Sequence, residues 1–479
     1  MLHSQYQFNG KPKHKLVILS IPYQRLIRSH LSPSVLDILT KNSNVVIVSP
    51  FAKDADFSRQ YAGDKVVHEC IAPYDDLPRL YKNLLALTSI LRVQGYWFKN
   101  RKKLPYYWAS RHIRFGENGK DTLASLPKRL IMNAISFIGM FPRAWILLDT
   151  LIGRRVYDTC ALKSLAAEYD KVTLIQTASW GFQDQALAWM GRELLWRTVL
   201  IPYTTDQLFA NGYLYSDFDA VCVQGTAERR FAHELHAVKD TRIINLGSLS
   251  FFSMRQVLID QQIAPFRMNG IRRILFAGST ATYFPTESEF NCLEHLLQAI
   301  DAGHLKHIAI TYRPLGDTPE IREMIEKRFP DRSRLDIVYA SPTIFGLDKY
   351  THTEWTQSLI EHLKSICGFD LAVMVLFTSL ALDLTVCGTP TIAYVEDETG
   401  TLERRHMGSV HYAEEAIDIY ETVPVVLSKN QLVSTINQLL NDSVELSRIT
   451  KETAAAWDYN PPNILELLET VVFDKYAVK

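Results

Sequence analysis

The stretch from Phe369 to Asp397 constrains this chain more than any other. Leu371 to Leu376 is a short apolar run, the kind that fills a strand buried on both faces of a parallel sheet. Thr378 and Ser379 follow at the point where a helix would begin, and either hydroxyl can cap free backbone N–H groups. Leu380 to Val386 has the length of about two helical turns, closed by Gly388 and Pro390. Thr391 to Val395 is a second buried strand, with Glu396, Asp397 and Glu398 just past its carboxyl end. This is a complete βαβ unit with a right-handed crossover. Hydroxyls at the helix N-terminus suit a phosphate, and acids past the next strand suit a ribose.

The chain has 479 residues, too many for one core, which points to roughly two to four domains. Lys+Arg and Asp+Glu are equal at 52 each, so bulk charge gives no ground for a nucleic-acid partner. The cysteines are scattered, with no Cys-x-x-Cys spacing, against a zinc site or a disulfide framework and in keeping with a cytoplasmic location. The N-terminus lacks the order of a signal peptide, and no window holds the ~18 uninterrupted apolar residues of a transmembrane helix.

Strands are expected at Lys15–Ile21, Asn44–Ser49 and Val66–Ile71, with a loop of Arg25, Arg28 and His30 after the first. From about 76 to 157 the pattern turns helical, aromatic and basic. Leu130 to Ile152 is largely apolar, flanked by Lys128-Arg129 and Arg154-Arg155. Two readings stand for this insertion: helices packed on the sheet with solvated basic residues, or a surface resting on an anionic membrane, which would place the protein at the inner face of the cytoplasmic membrane. Strands and helices alternate again from Lys171 to Gly247. Residues 251–270 lose the pattern and read as a linker between an N-terminal domain, 1–250, and a C-terminal domain, 271–456. The tail, 457–479, reads as a helix lying back across the first domain. The fold class is therefore α/β, two Rossmann-like domains with a helical insertion in the first.

Candidate binding residues recur at successive strand ends of the second half, the rim where open α/β sheets hold ligands. Gly278 and Ser279 allow close backbone approach. Arg313 could fork onto a diphosphate. Ser341 and Pro342 could lie along a nucleobase, Thr378 and Ser379 could hold phosphate oxygens, and Glu396 or Glu398 could accept ribose hydroxyls. Each alone is also what a turn glycine, a surface arginine or a helix cap looks like; their recurrence favours a ligand. In the first half, Asp184, Asp206 and His30 are the candidates for a base, with helix N-terminal charge stabilisation as the plain alternative for the two acids. No Gly-x-Ser-x-Gly, Walker lysine motif or metal-ligand cluster stands in the sequence.

Two such halves with a returning C-terminal helix resemble the GT-B glycosyltransferases. Phe377 to Asp383, through Gly388-Thr389-Pro390, is similar to the donor-phosphate loop and helix of bacterial surface-carbohydrate transferases, CDP-glycerol glycerophosphotransferases and non-hydrolysing UDP-GlcNAc 2-epimerases. The epimerases usually carry Ser-Gly-Gly where this chain has Thr378-Ser379-Leu380, which points away from them. Thr177 to Trp180 through Gly191, then Asp219 to Val223 and Gly247, is similar to the acceptor-domain core of capsule and lipopolysaccharide transferases. The resemblance implies a metal-independent transferase with a nucleotide-sugar as substrate, no separate cofactor, and a surface glycan or lipid-linked acceptor. A CDP-glycerol-type polyol-phosphate transferase and a non-catalytic carbohydrate-binding protein of the same fold stay open.

Overall fold

A computed structural model describes residues 14–71, 74–104, 125–157, 160–179, 181–204, 207–263, 270–279, 284–314, 317–339, 352–376, 380–395, 422–457 and 460–473. Its frame is two parallel sheets. The first has the order β3-β2-β1-β4-β5-β6-β7, built from Lys15–Ser20, Asn44–Val48, Val66–Glu69, Lys171–Gln176, Arg197–Leu200, Ala220–Val223 and Ile243–Asn245 as β1 to β7. The second has the order β10-β9-β8-β11-β12-β13, with Arg272–Ala277, Ile308–Arg313, Leu335–Ile337, Leu371–Val375, Thr391–Tyr394 and Val425–Val426 as β8 to β13. β2 and β11 are buried along their whole length, because helices cover both faces. The two-residue β13 was not legible in the sequence; it is too short to show a period.

In the first half the helices are α1 Ile27–His30, α2 Pro33–Asn42, α3 Ala55–Gln60, α4 Arg79–Asn100, α5 Ser125–Gly139, α6 Pro142–Val156, α7 Cys160–Ala166, α8 Phe182–Glu193, α9 Gln207–Ala210 and α10 Thr226–His236. Helix α11, Leu249–Asp260, occupies half of the stretch expected to be a linker. Its period is hidden because it is apolar on more than one side: Phe251 and Met254 face one cluster, and Leu249 faces another. The second half carries α12 Thr286–Asp301, α13 Pro319–Arg328, α14 His352–Ile366, α15 Leu380–Val386, α16 Lys429–Asn441, α17 Ser443–Trp457 and α18 Ile464–Phe473.

The insertion is a layer of helices on the first sheet. α4 and α5 cross at their glycines: a Cβ on Gly95 would lie 1.9 Å from the carbonyl carbon of Gly139. Only glycine lets two helix backbones approach this closely. α6 buries Trp145, Asp149, Ile152 and Val156, and Asp149 accepts from Gln185 at 2.7 Å and Tyr157 at 3.1 Å and pairs with Arg192.

A single apolar cluster runs from Val221 and Val223 of the first sheet through Met254, Leu359 and Leu363 to Leu275 and Met374 of the second. The chain also returns. Helix α18 buries Leu468, Val471 and Val472 against the first half, where Thr173 donates to the Val472 carbonyl at 3.2 Å and Arg197 to that of Val471 at 2.8 Å.

Candidate functional site

The order of each sheet fixes where a ligand would sit. In the first, the chain leaves β1 toward β2 and β3, then resumes at β4 and runs the other way. The second does the same at β8 and β11. At such a reversal the two crossovers diverge and leave a crevice at the carboxyl ends of the adjacent strands. The protein has two of these crevices.

Gly278 follows β8 in the second crevice. Its N–H donates to the Arg313 carbonyl at 3.0 Å, and a Cβ there would lie 2.1 Å from Oε1 of Glu289. Glu289, in the first turn of α12, accepts from the Ser279 N–H at 3.0 Å and from the Tyr312 hydroxyl. Burial pushes its carboxyl above the ordinary range, while those two hydrogen bonds pull the other way. The Ser279 N–H is thereby engaged within the protein, and its side chain stays half-buried at the rim.

Arg313 ends β9 and is only 5% exposed. Its Nη2 lies 3.4 Å from Nδ1 of His362 on α14, and Nε2 of that histidine lies 3.0 Å from Oδ2 of Asp383 on α15. An arginine only donates, so Nδ1 is the acceptor and Nε2 carries the proton toward the carboxylate. Asp383 therefore reaches Arg313 through an imidazole. Burial lowers the guanidinium's pKa and the charge of Asp383 raises it. Its Nε has no hydrogen-bond partner among the described residues. A buried cation held this way keeps donor capacity for an anion. Leu376, directly after β11, has φ +62°, a left-handed conformation that a branched side chain rarely adopts and that marks strain at the same crevice.

Asp184 is fully buried in the first crevice, at the start of α8. It accepts from the Ser20 hydroxyl at 3.1 Å, and Gln183 donates at 2.9 Å to both that hydroxyl and the Val48 carbonyl. Gln176 donates to the Asp184 carbonyl at 2.7 Å. The carboxylate ties the end of β1 to the start of α8. Gly181 before it has φ +100°, which favours glycine. His30 closes α1, buried, with Nδ1 2.9 Å from the Ser29 hydroxyl; burial pushes its pKa down to about 4, against hydrogen bonds to the backbone of Ile201 and Leu26. Helix α1 packs against α14, so the two halves touch beside these elements.

Of the residues singled out in the sequence, Gly278, Ser279 and Arg313 come together at one crevice and Asp184 stands at the other. Asp206, Ser341, Pro342, Thr378, Ser379, Glu396 and Glu398 lie outside the described residues. Glu289, His362 and Asp383 were missed. His362 had a legible signal: it shares the inner face of α14 with Trp355, Leu359, Leu363 and Ile366, and a histidine on an apolar stripe needs a partner. Among the described residues no cluster of His, Cys, Asp and Glu forms a metal site.

Two doubly wound parallel sheets in one chain, with the last helix returned to the first sheet, decide the architecture. It is the GT-B fold. No family model matches the sequence, and no curated protein matches it. Solved GT-B proteins resemble it in structure. A putative UDP-N-acetylglucosamine 2-epimerase from Listeria monocytogenes aligns at TM-score 0.46 and 11% identity over 96% of each chain. MurG of Acinetobacter baumannii aligns at 0.45 and 11%, covering 96% of this chain and 99% of its own. An α,α-trehalose 6-phosphate synthase from Burkholderia multivorans aligns at 0.42 and 11% over 96% of each.

Proposed function

We propose that this GT-B protein is a glycosyltransferase that takes a sugar from a nucleotide-sugar donor and passes it to a surface glycan or a lipid-linked acceptor. The observation that carries the reading is Arg313, a buried guanidinium at a strand end beside a topological switch point, oriented by His362 rather than by a carboxylate of its own. Direct pairing with Asp383 would cancel the charge; an imidazole between them fixes the fork and leaves it attractive to a diphosphate.

In this scheme Arg313 and the N-terminus of α15, with Thr378 and Ser379, stabilise the departing nucleotide phosphate. The acceptor enters from the first domain, and closure of the halves brings it to the sugar. Asp184 and His30 are buried in hydrogen-bonded settings, which suits positioning, so the proposal gives the acceptor's proton to Asp206 or to the leaving phosphate.

Calorimetry with UDP, GDP, CMP, CDP, dTDP and ADP tests this. One nucleotide should bind, and Arg313→Ala should weaken it by about tenfold or more. A preference for CDP would move the reading to a polyol-phosphate transferase. Binding of none would leave the carbohydrate-binding alternative.

A further inference from the structure

We propose that helices α5 and α6 lie flat on an anionic lipid bilayer. Leu130, Ile131, Phe137 and Ile138 form one stripe along α5, Phe141 stands in the bend, and Leu147 and Leu151 continue along α6, each more than half exposed. The i, i+1, i+7, i+8 spacing on α5 and i, i+4 on α6 gather these side chains on one face of each helix. The Phe141 ring is 5.7 Å from that of Phe137, so the stripe is continuous through the bend. An apolar face of this size on a folded protein is an interaction surface.

Charge selects the occupant. Between 125 and 156 the only acid is Asp149, which is fully buried on the inner side of α6 and paired with Arg192. Arg143, Arg154 and Arg155 are exposed on α6, and among the described residues only Arg154 has an acidic partner, Glu193 at 3.1 Å. Apolar residues bordered by exposed cations match the acyl boundary and headgroups of an anionic leaflet. A second copy of the chain on this face would set the arginines against one another across a two-fold axis.

The helices rest on the bilayer and do not cross it. Among the described residues no single helix is long and apolar enough to span; α5 and α6 reach that length and composition only as a pair, and they are bent 87° from one another. Their inner faces are fixed: Gly139 lies against the backbone of Leu91, and a Cβ on Gly153 would meet the Trp189 ring at 2.6 Å. The proposal stands apart from the donor-site reading.

Sedimentation of the full chain with vesicles tests it. Vesicles of phosphatidylcholine with about one-quarter phosphatidylglycerol should bind the protein at least tenfold better than phosphatidylcholine alone, and added salt should release it. The pair Phe137→Ser and Leu147→Ser, and separately the pair Arg143→Glu and Arg155→Glu, should each reduce partition about tenfold. Because these positions are exposed, unfolding midpoints and nucleotide affinity should hold. Equal partition of all three proteins would overturn the proposal, as would a dimer in sedimentation velocity that the serine pair dissolves without any vesicle binding.

Discussion

His362 stands between two opposite charges, 3.0 Å from Oδ2 of Asp383 through Nε2 and 3.4 Å from Nη2 of Arg313 through Nδ1. The ring hands the orientation of the carboxylate on to the guanidinium without bringing the two into contact. Asp383 and His362 are thus positioning residues for Arg313. Asp383→Asn should weaken nucleotide binding by roughly threefold to tenfold, the loss of one charge-assisted hydrogen bond, while Arg313→Ala costs more. Calorimetry on the variants decides the order. An Asp383→Asn protein with unaltered affinity would remove the relay from the site.

Acid should unfold this protein earlier than its neutral composition suggests. Burial pushes His30 and His236 from the usual 6.5 to about 4, with Arg92 and Lys99 adding to the effect at His236. The unfolded chain binds protons that the folded one excludes, so this stability is complete above about pH 6.5 and falls as the pH drops toward 4. At pH 5 the loss is about 2 kcal/mol per histidine. Urea midpoints at pH 7.5, 6 and 5 should decline, and should decline less in His30→Gln and His236→Gln. Parallel declines would show that other groups govern the slope.

Asp184 holds the end of β1 to the start of α8 through Ser20. Asp184→Ala leaves the proton of that hydroxyl without its acceptor and should lower stability by about 2 kcal/mol. Asp206→Ala should lower turnover. A stable Asp184→Ala protein without activity would reverse the two assignments.

The α4–α5 crossing admits no side chain. Gly95→Ala pushes a methyl into the backbone of Gly139 and should destabilise by about 3 kcal/mol, the upper range for overpacking. Thermal unfolding reads this directly, and a midpoint within a degree of the parent would mean that the helices separate freely.

Strand ends and crossovers were legible because burial on both faces leaves an unbroken apolar run, as in Leu371 to Val375. Arg313 was legible for the same reason, being the polar residue that ends such a run. Helix α11 was not, since contacts on several sides erase the 3.6-residue period. The His362–Asp383 pair was not, since the two residues lie on different helices and only the packing of α14 beside α15 joins them. Glu289 was not legible either: no motif marks it, yet it is 3% exposed and braces the loop after β8.

The chain crosses between its halves twice, once through α11 and again between α17 and α18. Near the second crossing a Cβ on Gly225 would come within 2.2 Å of the Ala456 carbonyl oxygen, so the halves meet there backbone to backbone. Two tethers define a line. Sliding one half past the other, or swinging it freely, would stretch one tether or the other; turning about the line joining them stretches neither. Two covalent crossings thereby tie the two large bodies at two places, one constraint more than a single linker would impose.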